Sequence, residues 1–162
     1  NTYYSPKGGL PPQTQIMTDR AMFTNAYAVI PKGTYSDIVT SYLPFWTGMR
    51  MWVIARPMSG FAETFSHYIV ELTSGGGSDR PEDDELAQAV LFVTSGNLRI
   101  MYEGTERPLE TGGYAYLPAG SRWSLHNPTA EPATFHWIRK AYQAVDGFDY
   151  PEAFFTNESA FE

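Results

Sequence analysis

Glu82 and Asp84 stand two residues apart inside the stretch GGSDRPEDDELAQAVLFVTSG, residues 76–96. If a strand runs through them, that spacing puts both carboxylates on one face. Two carboxylates alone make a weak site for Mn, Fe or Zn, which favour imidazole nitrogen beside oxygen. They hold a hard cation only when other oxygens complete the shell. The competing reading is a solvated acidic loop, the usual fate of a short charge run. The three histidines are His67 in FSHYIVEL, on the strand face of Phe65 and Ile69, His126 beside Asn127, and His136 in FHWIRK. No two of them have the i, i+2 or i, i+4 spacing of a local metal clamp, although remote residues converge in a barrel. A structural or surface role is the expectation for each. Nucleophilic chemistry finds no support, because there is no cysteine and no Gly-x-Ser-x-Gly elbow. GGGSD at 75–79 precedes no helix and lacks a Gly-Lys-Ser/Thr ending, so it is not a phosphate loop. One enzymatic arrangement stays open: Glu63, His67, Glu82 and Asp84 gathered in a single pocket.

Groups so far apart in the chain need strands to bring them together. The 162 residues amount to one domain, with 15% aromatics, 14 glycines and 12 prolines. Many short strands separated by turns fit that composition better than helices do. From Tyr27 the candidates follow at short intervals: AYAVI, TYSDIVTSYL, MRMWVIAR, AETFSHYIVEL, then a Gly-rich acidic loop, AVLFVTS, LRIMYEG, a charged turn, GGYAYLPAGS, WSLHN and ATFHWIRKAY. In AETFSHYIVEL, Phe65 and Ile69 fall on one face and Tyr68 and Val70 on the other, a period of two. The expected fold is all-β, a closed or nearly closed antiparallel barrel of the double-sheet jelly-roll class. Residues 1–25, with Pro6, Pro11 and Pro12, read as an N-terminal arm, 26–143 as the barrel and 144–162 as a C-terminal extension.

With a formal net charge of −7 and no basic block, the chain reads as a poor nucleic-acid binder, because phosphate binding needs clustered Lys and Arg. The longest apolar run in the middle of the chain, Ala89 to Val93, falls far short of the about 20 residues that span a bilayer. No nucleic-acid or membrane partner is expected. Without cysteine or a secretion-type start, the chain reads as soluble and cytoplasmic.

A second stretch, GGYAYLPAGSRWSLHN, sets Gly112, Pro118, Gly120 and Asn127 at spacings that close one strand and open the next. The two stretches together resemble the two motifs of the cupin family, which implies a jelly-roll barrel (a double-stranded β-helix). Laid on those motifs, Gly76, Gly96, Gly112, Pro118, Gly120 and Asn127 match scaffold positions. Glu82 and Asp84 stand where the resemblance implies two metal-binding histidines, Ala89 where it implies a glutamate, and Trp123 where it implies a third histidine. All four usual ligands are replaced, so no metal cofactor is expected in this chain. Trp123 then points inward, either as filler in place of a cofactor or as an aromatic wall for a small ligand. Glu82, Asp84, Trp123, Asn127 and His67 are the candidate pocket residues.

Longer stretches narrow the resemblance. GGLPPQT, TDRAMFTNAYAVIPKG, SGFAETFSHYIVEL, LFVTSGNL and FHWIRKAY look like the N-terminal half of the bicupin (S)-ureidoglycine aminohydrolases of allantoin (purine) breakdown. The family implies hydrolytic deamination of ureidoglycine to ureidoglycolate and ammonia, with Mn(II) in a C-terminal cupin. A metal-free N-terminal cupin then serves structure and assembly, partnered by the second cupin or by further copies, and is inactive alone. The ureido substrate belongs to the full-length enzyme. The tail VDGFDYPEAFFTNE looks like that family's linker into the second barrel. The rival expectation is a standalone cupin that binds a small ligand or acts as an assembly module.

Overall fold

The structure is a computed structural model that describes residues 22–23, 28–29, 43–55 and 64–161. Eleven strands lie in these residues: β1 Met22–Phe23, β2 Ala28–Val29, β3 Thr47–Ala55, β4 Ser66–Ser78, β5 Ala87–Ser95, β6 Asn97–Tyr102, β7 Thr105–Glu110, β8 Gly113–Leu117, β9 Trp123–His126, β10 Ala133–Ala141 and β11 Phe154–Asn157. A 3-10 turn, Glu158–Phe161, is the one helical element among the described residues. No helix there is long and apolar enough to cross a membrane. Most of the candidate AYAVI, all of TYSDIVTSYL but its last residue, and Glu63 lie outside the described residues.

β1 and β2 pair as a separate two-stranded sheet, and the other nine strands form one sheet, ordered β11-β8-β5-β10-β4-β9-β6-β7 with β3 added on β4. Every pairing is antiparallel. The path folds into a nearly closed jelly-roll barrel because β4 serves both halves. Its residues 66–72 pair with β10, and Gly77 and Ser78 pair with β9. The corner between them is the Gly-rich run, which the chain uses as strand and not as loop. Gly77 has φ +155°, and a Cβ on it would collide with the Leu125 carbonyl oxygen of β9. Only glycine lets these two backbones approach so closely.

Alternation fills the interior. Ala87, Ala89, Leu91 and Val93 of β5 are buried, as are Ala115 and Leu117 of β8, Leu98 and Ile100 of β6, and Ala133, Phe135 and Trp137 of β10. They join Met49, Met51, Val70, Leu72, Leu109, Trp123 and Leu125 in one core cluster. In β4 the inward face is that of Tyr68, Val70 and Leu72, so His67 and Ile69 take the outer face.

Two stretches behave differently from the expectations above. TERPLE, expected as a charged turn, is strand β7, whose only buried residue is Leu109. It lies at the end of the strand order, where polar residues and Pro108 are tolerated. Residues 154–157, in the stretch expected as a C-terminal extension, return as β11 and pair with β8 from Phe154↔Tyr116 to Asn157↔Gly113.

Candidate functional site

The loop 79–86 connects β4 to β5 across one end of the barrel. Glu82 and Asp84 therefore do not lie on a strand, and the loop sends them in different directions. The Glu82 side chain is only 10% exposed. Its Oε1 accepts from the Arg139 guanidinium at 2.6 Å and from the Asp84 N–H at 3.1 Å. Asp84 is exposed, and its Oδ1 accepts the Leu86 N–H at 2.9 Å while its carbonyl accepts the Ala87 N–H at 3.0 Å. That is turn chemistry, a carboxylate bonding the backbone two residues on.

Arg139 reaches Glu82 because it follows Phe135 and Trp137 on the inward face of β10. The floor beneath it is a tryptophan group. Trp46 lies 5.6 Å from Trp137 between ring centroids, and Trp123 stands edge-on to Trp137 at 6.1 Å. The Trp46 Nε1–H donates to the Pro81 carbonyl at 3.4 Å, tying the acidic loop to the floor. Three buried side-chain atoms here lack hydrogen-bond partners: Glu82 Oε2, Arg139 Nε and Trp137 Nε1. Arg139 links the three side chains, since it pairs with Glu82 and its guanidinium lies 5.9 Å from the Trp137 ring centroid. Buried polar atoms normally find partners, so a cluster of one acceptor and two donors marks a polar spot inside an otherwise apolar barrel.

Next to this group, sharing only Trp123 and Glu82 with it, opens a cavity of about 500 Å³, a size common for small-molecule sites. Trp123, Met101 and Glu82 line it, with Arg80, Arg122 and Asp84 at the rim. Five carboxylates and two guanidinium groups in the lining give the cavity a negative field.

Of the sequence candidates, Glu82, Asp84 and Trp123 thus meet at one cavity, and two stand apart. Asn127 is fully buried and all its side-chain capacity is used. Its Nδ2 donates to the Leu72 and Glu131 carbonyls at 3.0 and 2.7 Å, and its Oδ1 accepts from the Thr129 N–H and hydroxyl at 2.9 and 2.7 Å. It joins β9 to β4 and to the loop before β10. His67 lies on the outer face of the sheet, where its Nε2 is 2.8 Å from His136 Nδ1. Burial, and then the neighbouring His136, lower the His67 pKa to about 4, and burial lowers that of His136. Arg139 and Trp137, which hold Glu82 and pack against Trp123 without lining the cavity, were not among the candidates. The signal for them is the alternation of Phe135, Trp137 and Arg139 on one face of β10.

The metal that the cupin resemblance implies does not fit this donor set. Glu82 is committed to Arg139, Asp84 caps a turn in solvent, Ala89 is core, and Trp123 is an indole packed against Trp137. No group of three or more metal-binding side chains occurs among the described residues. The positive charge inside the barrel is that of a guanidinium.

Comparison with known proteins agrees with this architecture. Residues 59–142 match the EutQ-like cupin domain. The (S)-ureidoglycine aminohydrolase of Escherichia coli K12 is 27% identical over 126 residues, covering 75% of this chain and 48% of that protein. The crystal structure of a putative glyoxylate-induced protein from Pseudomonas aeruginosa superposes with a TM-score of 0.80 at 58% identity, over 98% of this chain and 57% of that one. Protein Ylba of E. coli does so with a TM-score of 0.77 at 25% identity, over 92% of this chain and 60% of that one. The chain thus spans about half to three-fifths of the length of these relatives. With its glycine corner, jelly-roll strand order and matched domain, the chain belongs to the EutQ-like cupin family.

Proposed function

We propose that this chain is the metal-free cupin half of a ureidoglycine aminohydrolase-type enzyme, a barrel that supports a second barrel bearing the catalytic Mn(II) centre. One observation carries the reading. The four positions where a cupin holds its metal are taken by a carboxylate locked to Arg139, a solvent-facing turn carboxylate, an alanine and a packed tryptophan. The chemistry, hydrolytic release of ammonia from (S)-ureidoglycine, then belongs to the other half. The relatives' greater length supports this, since each has room for a second domain. So does the C-terminal stretch, which leaves Val145, Phe148, Tyr150, Phe154 and Phe161 at least half exposed. Apolar side chains in such number are suited to an interface with the second barrel. The test is ammonia release from ureidoglycine with Mn(II) supplied. The expected result is none from this chain alone and turnover from the longer polypeptide. Metal-dependent turnover by this chain alone would sink the proposal.

A second reading, a ligand-binding cupin without catalysis, is favoured by the cavity over Trp123 and by the unpaired Glu82 Oε2 beneath it. Saturable binding of a small ureido compound, lost in Trp123→Ala, supports it. Absence of binding counts against it.

A further inference from the structure

We propose that His67 and His136 form a two-histidine site for a borderline divalent ion of the zinc, nickel and copper class, on the outer face of the barrel and apart from the cavity. The geometry is that of two ligands already convergent. His67 Nε2 and His136 Nδ1 face each other at 2.8 Å, with ring centroids 5.1 Å apart. Imidazole nitrogens bound to one zinc lie about 2.0–2.1 Å from it, hence about 2.8–3.4 Å from each other at right-angled to tetrahedral geometry. The rings need part by no more than about 0.6 Å and turn so that both lone pairs point at the ion.

The backbone holds them there. His67 pairs with Ile138 and His136 with Ile69, so the two histidines are diagonal neighbours in a seven-pair ladder between β4 and β10. β3 flanks the ladder on one side and β5 on the other, placing Ala55 opposite His67 and Phe92 opposite His136. Strands paired on both edges lose little freedom when a ligand arrives, which favours binding. Burial keeps both rings neutral near pH 7, the state in which imidazole offers a lone pair.

The proton balance is simple. In the free pair, one ring donates its N–H to the other's lone pair. When an ion takes the place of that shared proton, the proton moves to the outer nitrogen of its own ring. Both imidazoles stay neutral and no net proton is released at neutral pH. Among the described residues no third histidine or carboxylate joins the pair. Of the groups described, none fills the remaining coordination positions, which are open to water or to a further donor. All-imidazole ligation favours zinc, nickel and copper over magnesium, calcium and manganese.

The experiment is calorimetric titration of the untagged chain with zinc chloride. His67→Ala and His136→Ala are each expected to weaken binding about tenfold or more, as loss of a ligand does. His126→Ala should leave it unchanged. No saturable binding by the wild type, or an equal loss in His126→Ala, overturns the proposal. Nickel-induced broadening of imidazole NMR signals in the wild-type chain tests it without any variant. Selective broadening of His67 and His136 is expected, and broadening of His126 alone would overturn it.

Discussion

Arg139 and Glu82 bring opposite charges together at 2.6 Å inside the barrel, with only 28% and 10% of their side chains exposed. A pair so placed contributes little by existing and costs much when halved, because the surviving charge stays buried. Arg139→Ala is expected to destabilise the fold by about 3 kcal/mol or more. The double change Arg139→Met, Glu82→Leu should recover most of that loss in urea unfolding. A double variant no more stable than Arg139→Ala would show that the apolar floor cannot accept the swap. The histidines make a separate prediction. With a folded pKa near 4 against an ordinary 6.5, His67 binds fewer protons folded than unfolded between those values. Stability is therefore complete above pH 6.5 and falls as the pH drops towards 4, by at most about 1.4 kcal/mol per pH unit per group. His136 acts in the same direction. Urea midpoints measured from pH 7.5 to 4.5 should fall less steeply in His67→Phe than in the wild type. The inward direction of Arg139 was legible from its parity with Phe135 and Trp137. The burial of Glu82 was not, because a loop has no period to read. Nor was the histidine pair, whose members lie 69 residues apart and meet only through strand pairing.

Among the elements, β4 carries the greatest structural demand, since it pairs with β10, β3 and β9 in turn. Its corner depends on Gly77, and Gly77→Ala forces the new methyl group against the β9 backbone at Leu125. A loss of about 3 kcal/mol or more is expected, in the range reserved for clashes with fixed backbone. A thermal midpoint within a few degrees of wild type would mean that the corner gives way more easily than its packing implies. The alternation of β5, β8 and β10 could be read from the sequence, since each buries one face against a single core. β7 and β11 could not. β7 has one buried residue among six and is held by its hairpin with β6, and β11 is held by β8. Both owe their strand form to a neighbour's free edge and not to a hydrophobic pattern of their own. β11 also seats Phe155 edge-on to Tyr102 at 5.4 Å, with the Arg107 guanidinium 4.8 Å from its ring centroid.

At the scale of the whole molecule, the barrel is a cupin in which a tryptophan floor and the Glu82–Arg139 ion pair lie beneath the acidic loop. Under the proposal above, turnover comes from a longer polypeptide with a second barrel, not from ligands introduced into this one. That same floor has an optical consequence. Trp46 and Trp123 both lie within about 6 Å of Trp137, while Trp52 stands on another strand beside Arg50. Three of the four tryptophans therefore form one group, and of these Trp123 lines the cavity. A solute entering above Trp123, or a loosening of the Glu82–Arg139 contact, should shift the emission colour and its quenching by iodide, so the barrel carries its own reporter dye.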